Sequence, residues 1–159
     1  MQHFYRKKPD NILFTSEGFE KVKNEQMTLL EKRKTAVNNL QTAREMGDLS
    51  ENGAYKAARF ELTSIDRRLR EFARLIRFGK VVERSNIGVV EIGSTVVVSD
   101  GTKSYTYTIV GGYESNPLEK KLSHFSPIGR ALMGKKVGDT VEVHAPQGVT
   151  TYRILEIVS

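Results

Sequence analysis

The chain has 159 residues, of which 38% are hydrophobic and 28% are charged, and it carries a formal net charge of +6. That length suits one ordinary domain or two small ones, and the charged fraction is typical of a long exposed helical element. The absence of cysteine excludes disulfides, thiolate zinc sites and cysteine nucleophiles. The histidines His3, His124 and His144 are too scattered for a metal site, and no apolar run approaches the roughly 18 residues of a membrane span.

The positive charge is concentrated in the first half of the chain. Residues 1–79 contain 16 basic and 11 acidic side chains, whereas residues 80–159 contain 9 and 8. A polyanionic partner is therefore expected to meet the first half. The basic N-terminus is not followed by an apolar stretch, so we predict no secretory signal and a cytoplasmic location.

Two long heptad patterns predict a helical hairpin within residues 1–79. Residues 1–14 are expected to be extended, and Thr15 or Ser16 then offers a helix cap. In the first pattern the inner positions run from residue 19 to residue 43 in steps of three and four, and in the second they run from residue 55 to residue 76. Gln26 and Arg33 interrupt the first pattern. Neither helix is stable alone, because each has one apolar stripe that must be covered.

Folding the chain back between the patterns gives a consistent register over their whole length. The expected pairs are Leu40 with Ala58, Val37 with Leu62, Leu29 with Leu69 and Val22 with Ile76. The alternative is one continuous helix in a parallel coiled coil. Gly47 and Gly53 argue against that alternative, because glycine is a poor helix former.

Two carboxylates, Asp48 and Glu51, lie between the two patterns. Their spacing fits a capping box, in which Asp48 caps the second helix and Glu51 reaches back to the amide of the cap. Alternatively, carboxylates at the apex of a basic stem bring a divalent cation to a nucleic-acid backbone. Mg²⁺ usually takes one or two carboxylates together with water and phosphate oxygens, so the tip would be half of a metal site. The spacing leaves both interpretations open.

After Gly79 the pattern becomes that of strands. Extended segments are expected at residues 80–83, 87–92, 95–99, 105–109, 140–145 and 151–158. Asp100-Gly101 predicts a hairpin turn, and Ser126 is a plausible cap for a short helix from Pro127 to Met133. We therefore predict a second domain over residues 80–159, of the α+β class, with a mainly antiparallel sheet and one short helix.

Two motifs in this order resemble those of the bacterial Gre transcript-cleavage factors. G-D-L-S-E-N-x-x-Y-x-A-A-R is similar to the family's tip and S-P-I-G-R-A-L-M-G-K-K-V-G-D to its C-terminal signature, and the resemblance covers residues 12 to 158. It implies an N-terminal coiled-coil hairpin and a C-terminal FK506-binding-protein-like domain. Peptidyl-prolyl isomerase activity does not follow from that shape. We expect a monomer with no membrane partner.

The resemblance also implies a function for the tip. The hairpin would enter the secondary channel of a backtracked RNA polymerase, where Asp48 and Glu51 would help hold the second Mg²⁺ and orient a water. The polymerase would supply the first Mg²⁺ and the catalytic frame, so the protein itself is not expected to be an enzyme. Arg44 and Arg59 match the basic patch that contacts the extruded RNA 3′ end. Their alternative is a plain solvated surface.

The remaining residues of the tip motif are Ser50, Asn52 and Tyr55. Ser50 and Asn52 are expected to shape the tip through local hydrogen bonds to the backbone, a structural role as plausible as a catalytic one. Tyr55 occupies the first inner position of the second helix, so packing is its default role, although its hydroxyl is near enough in sequence to reach the tip.

By the same resemblance, Phe125, Ser126 and Pro127 belong to the loop that grips the rim of the polymerase channel. Phe125 stands where relatives often carry Asn or Asp. Two other functions compete with transcript cleavage. One is a channel-binding regulator that does not cleave, and the other is a generic basic coiled-coil module that binds RNA or DNA without polymerase.

Overall fold

The structure is a computed structural model that describes residues 11–46, 52–85, 88–145 and 148–158. The chain divides into two compact units. Glu20–Gly79 form a helical unit, and the described residues up to Phe19 group with those from Lys80 onwards in a sheet unit. The sequence analysis placed residues 1–79 in one domain. The structure instead groups the described residues before Glu20 with the second domain.

The N-terminal segment joins the sheet unit through a strand and a buried ring. Strand β1 (Ile12–Phe14) pairs with strand β2 (Gly79–Val81) in a two-stranded sheet. Phe14 is fully buried, with its ring centroid 5.5 Å from that of Phe19 and 6.3 Å from that of Tyr113. Burial of a phenylalanine contributes about 1.5–3 kcal/mol to folding. The heptad pattern of the following helix does not predict that Phe14 is buried.

The predicted helical hairpin is confirmed. Helix α1 spans Ser16–Glu45 and helix α2 spans Gly53–Phe78. Thr15 caps α1, since its hydroxyl accepts a hydrogen bond from the Gly18 N–H at 3.0 Å. No helix in the described ranges has both the length and the apolar character needed to cross a membrane. The buried side chains of the two helices are Ala36, Ala43, Ala58, Ile65, Phe72 and Leu75.

An ion pair between the helices explains why Arg33 interrupts the first heptad pattern. Arg33 Nε lies 2.6 Å from Asp66 Oδ1. The pair falls one turn from the expected contact of Val37 with Leu62, so it agrees with the predicted register. The hydrogen bond and the charge of Asp66 raise the pKa of Arg33 above its usual value. A polar pair at an inner position favours one register over shifted alternatives.

We predict that reversing either charge of this pair lowers thermal stability and that reversing both restores it. Arg33→Glu places two carboxylates together, and Asp66→Arg places two guanidinium groups together, so each single variant replaces attraction by repulsion. The double variant recreates the pair with its partners exchanged. Thermal unfolding followed by circular dichroism measures the effect at low salt. A double variant no more stable than the weaker single variant would contradict the pairing.

The sheet unit contains a five-stranded mixed sheet in the order β5-β4-β3-β7-β6. Neighbouring strands in it are antiparallel except β4 and β5, which are parallel. A short helix, α3 (Pro127–Leu132), packs on the sheet, and the predicted α+β class is confirmed. The strands are β3 (Thr95–Ser99), β4 (Ser104–Val110), β5 (Lys121–Ser123), β6 (Thr140–Ala145) and β7 (Gly148–Val158). The core consists of Val90, Val96, Val98, Ile109, Leu132, Val141, Val143 and Ile154.

The turn between β3 and β4 forms at the predicted Asp100-Gly101. Asp100 Oδ1 accepts hydrogen bonds from the N–H groups of Thr102 and Lys103, each at 2.8 Å, and Oδ2 accepts one from the Tyr105 hydroxyl at 3.0 Å. These donors hold the pKa of Asp100 well below its usual value, with the Lys103 amide as the largest cause. Gly101 adopts a φ of +90°, which a residue with a Cβ rarely adopts.

The strand expected at residues 87–92 is not formed in its described part, residues 88–92. The structure has an isolated bridge there, between Val89 and Lys136. Val90 donates to the Lys135 carbonyl and accepts from the Gly134 N–H, both at 2.8 Å. Val90 and Ile92 are nevertheless buried. The backbone of this segment bonds to the loop after α3, so the side chains reach the core without a strand ladder.

Candidate functional site

Asn52 ties the ends of the two helices together at the tip of the hairpin. Its Oδ1 accepts a hydrogen bond from the Tyr55 N–H at 3.1 Å, which caps the start of α2. Its Nδ2 donates to the Ala43 carbonyl at 2.9 Å, in the last turn of α1. Helix ends leave amides and carbonyls without partners inside the helix. One side-chain amide thus satisfies a carbonyl of α1 and an amide of α2.

The position of this cap tests the interpretation in which the acidic residues cap the second helix. Because α2 begins at Gly53 with Asn52 as its cap, the interpretation in which Asp48 caps the second helix is excluded. The sequence held the signal, since asparagine is among the preferred caps and directly precedes the helix. Asp48, Ser50 and Glu51 themselves lie outside the described residues.

Two further predicted tip residues contact each other. The guanidinium carbon of Arg44, near the end of α1, lies 5.9 Å from the ring centroid of Tyr55 in the first turn of α2. Tyr55 is half-buried and Arg44 is exposed. Such a cation–π contact contributes about 0.5–1 kcal/mol at an exposed site. The structure therefore brings Arg44, Asn52 and Tyr55 together, and it places Arg59 on the exposed surface one turn further along α2.

We predict that Asn52→Ala frays both helix ends at the tip, at a cost of about 1 kcal/mol. Asn52→Asp is the matched control, because its carboxylate can still accept from the Tyr55 N–H but has no donor for the Ala43 carbonyl. Hydrogen exchange of the Tyr55 amide measures the cap directly. We expect protection to be lost in the alanine variant and retained in the aspartate variant. Equal protection in the two variants would mean that the side-chain oxygen does not cap α2.

The predicted docking residues form a tight turn in the sheet unit. Ser126 Oγ accepts a hydrogen bond from the Gly129 N–H at 3.0 Å and so caps α3, as predicted, and Pro127 is the first residue of that helix. Phe125 is 67% exposed, and its ring centroid lies 3.9 Å from that of His124. The turn is therefore held by the Ser126 hydrogen bond, and the Phe125 side chain beside it is exposed to solvent.

The described residues contain no group of three or more histidine, aspartate or glutamate side chains arranged to hold a metal ion. The carboxylates proposed for Mg²⁺ fall in the segment 47–51, which is outside those residues.

Family models for transcription elongation factors match both halves of the chain. The N-terminal model matches residues 12–81, and the GreA/GreB C-terminal model matches residues 84–159. A transcription elongation factor GreA from Alkaliphilus oremlandii is 39% identical over 152 residues, covering 92% of this chain and 95% of that protein. The chain belongs to the GreA/GreB family. The resemblance inferred from two motifs is confirmed over nearly the whole sequence.

A GreA from Caldanaerobacter subterraneus is 40% identical over 151 residues, covering 92% of this chain and 96% of that protein. Among solved structures, GreA factor homolog 1 of Thermus thermophilus is similar, with 25% identity and a TM-score of 0.45. That match covers 94% of this chain and 99% of the other.

Proposed function

We propose that this GreA/GreB family member binds RNA polymerase in its secondary channel and stimulates the Mg²⁺-dependent cleavage of backtracked nascent RNA. Cleavage would create a new RNA 3′ end and rescue arrested complexes in the cytoplasm. Family membership supports RNA polymerase as the partner. The observation that carries the proposal is the match of the family to both halves of the chain, and the Asn52 cap is consistent with it because Asp48 is then not the cap of α2.

The hairpin suits delivery into a channel. Helix α2 has 26 residues, which at about 1.5 Å per residue makes it roughly 40 Å long. Glu51 directly precedes Asn52, and Asp48 precedes it by four residues. In sequence, both carboxylates are therefore within five residues of the start of α2.

The donor chemistry of the tip fits Mg²⁺. Asp48 and Glu51 would hold the ion together with groups of the polymerase, since Mg²⁺ in proteins is usually bound by one or two carboxylates plus water and phosphate oxygens. When bound, the ion supplies charge stabilisation and lowers the pKa of a coordinated water. The carboxylates also accept hydrogen bonds, so they can orient the attacking water. Two carboxylates alone make a poor Mg²⁺ site, so we assign the cleavage activity to the polymerase.

The basic side chains at the tip suit the extruded RNA 3′ end. Arg44 is held over the Tyr55 ring, and Arg59 is exposed one turn along α2. Arginine contacts phosphate oxygens through charge-assisted hydrogen bonds, which position a nucleic acid without reading its sequence. The pair would offset the repulsion between the acidic tip and the RNA backbone.

We assign docking on the polymerase to the unit that contains the Phe125-Ser126-Pro127 turn. Phe125 is exposed beside a hydrogen-bonded turn, and aromatic side chains, phenylalanine among them, are enriched in protein interfaces. The aromatic ring at residue 125 is thus proposed as the anchor, and Ser126 as the residue that holds the turn in shape.

The direct test uses polymerase halted in a backtracked state with RNA labelled at its end. Adding the protein with Mg²⁺ should release short 3′ fragments, and omitting polymerase or chelating the metal should prevent release. Slowed elongation without fragments would instead favour the non-cleaving regulator. RNA binding without polymerase, falling steeply with salt and unaccompanied by cleavage, would favour the generic nucleic-acid-binding module.

A further inference from the structure

A carboxylate of the sheet unit closes the first turn of α1. Glu114 Oε2 accepts hydrogen bonds from the N–H groups of Thr15 and Gly111, each at 3.0 Å. Glu114 Oε1 accepts a hydrogen bond from the Thr15 hydroxyl. Thr15 is the residue that caps α1, so Glu114 holds the cap, and its negative charge lies near the positive end of the helix dipole.

The same carboxylate packs directly against the helix backbone. Gly18 is buried, and a Cβ built on it would lie 1.9 Å from Glu114 Oε1 and 2.6 Å from Glu114 Cγ. A side chain at residue 18 would therefore have to displace the carboxyl group and break its hydrogen bonds. The contact requires glycine at this position, although glycine in a helix costs about 1 kcal/mol relative to alanine.

Glu114 lies in a segment that makes further contacts of its own. It ends a short 3-10 helix, Gly112–Glu114, whose turn is closed by the Glu114 N–H donating to the Gly111 carbonyl at 3.1 Å. The preceding Tyr113 ring stacks on the buried Phe14. The Tyr113–Phe14 contact joins the residue before Glu114 to the residue before Thr15, so it holds the carboxylate and the helix cap close together.

We propose that Glu114 is a positioning residue for transcript cleavage, which rests on the function proposed above. Helix α1 runs without interruption from Ser16 to Glu45, so the first turn that Glu114 closes belongs to the same helix that ends at the tip. Misplacement of reacting groups by about 1 Å can cost on the order of a hundredfold in rate.

Two substitutions of Glu114 separate hydrogen bonding from charge. In Glu114→Gln the amide oxygen can accept from the Thr15 and Gly111 N–H groups, while the amide nitrogen donates to the Thr15 hydroxyl. Glu114→Ala loses all of these contacts. We expect the cleavage rate at saturating factor to fall about tenfold in the alanine variant and to stay within about twofold of wild type in the glutamine variant. A glutamine variant as defective as the alanine variant would overturn the hydrogen-bonding account.

Gly18→Ala tests the same contact from the helix side. It should disturb the contact although it raises the intrinsic helix propensity at residue 18. Alanine is the better helix former, but its Cβ would displace the Glu114 carboxyl. We expect cleavage at saturating factor to fall severalfold. Gly53→Ala is the control for stability, because a Cβ at Gly53 meets nothing within 4 Å. Unchanged cleavage in Gly18→Ala would overturn the proposal.

A readout without polymerase keeps this proposal distinct from the proposed function. Hydrogen exchange of the Gly18 and Phe19 amides reports whether the first turn of α1 stays closed. Both amides should lose protection in Glu114→Ala and keep it in Glu17→Ala, which removes another carboxylate from the same turn. Protection unchanged in Glu114→Ala would refute the contact itself. If wild type fails to stimulate cleavage while exchange behaves as expected, the proposed function fails and the contact stands.

Discussion

Asp48→Asn should abolish stimulated transcript cleavage while leaving polymerase binding within about twofold of wild type. Asparagine keeps the size of the side chain and removes the charge that a divalent cation requires. Replacing a residue that only supports a metal ligand lowers metal affinity or activity about 10–100-fold. Loss of a ligand itself should therefore lower the cleavage rate on the order of a hundredfold or more. Because Asn52 caps α2, the helix should be unaffected. The rate of 3′ fragment release at saturating factor measures the effect.

The matched control for this prediction is Glu45→Gln. Glu45 is an exposed acid at the end of α1, close in sequence to Asp48, and its replacement removes the same charge without touching the proposed ligands. Glu45→Gln should stimulate cleavage at the wild-type rate, whereas Glu51→Gln should lose stimulation as Asp48→Asn does. Raised Mg²⁺ should partly restore the Asp48 variant, because the defect is in holding the ion. Normal cleavage by Asp48→Asn would reject the proposed chemistry.

Gly129→Ala should destabilise the sheet unit by about 3 kcal/mol and weaken binding to polymerase. A Cβ at Gly129 would lie 2.1 Å from the Ser123 carbonyl oxygen and 3.0 Å from His124 Cα. Both are backbone atoms, so no side-chain rotation relieves the overlap. The turn that carries Phe125 must therefore move. Chemical denaturation measures the stability, and competition for polymerase measures the affinity.

Gly112→Ala is the neighbouring control for that substitution. Its added Cβ would meet the Phe125 ring at 3.5 Å, an ordinary van der Waals distance, in the same part of the unit. We expect a change in stability within about 0.5 kcal/mol. Equal destabilisation by the two variants would show that the close approach at Gly129 does not constrain the turn.

The sequence by itself determined the features that rest on local patterns. Heptad spacing predicted both helices, and the register it implied agrees with the pairing of Arg33 and Asp66. The Asp100-Gly101 turn and the Ser126 cap also followed from residue types at fixed local positions. These predictions succeeded because the interactions join residues that are close in sequence or repeat with a helical period.

Only the tertiary structure decided the features that depend on distant partners. The Asn52 side chain also donates to the Ala43 carbonyl of α1, and the preference of asparagine for helix caps does not predict that link between the helices. Residues 88–92 pair with a loop because their side chains reach the core that way. Glu114 contacts Thr15, the cap of α1, across 99 positions of sequence. No local pattern encodes such contacts, because their free energy depends on which surfaces the folded chain brings together.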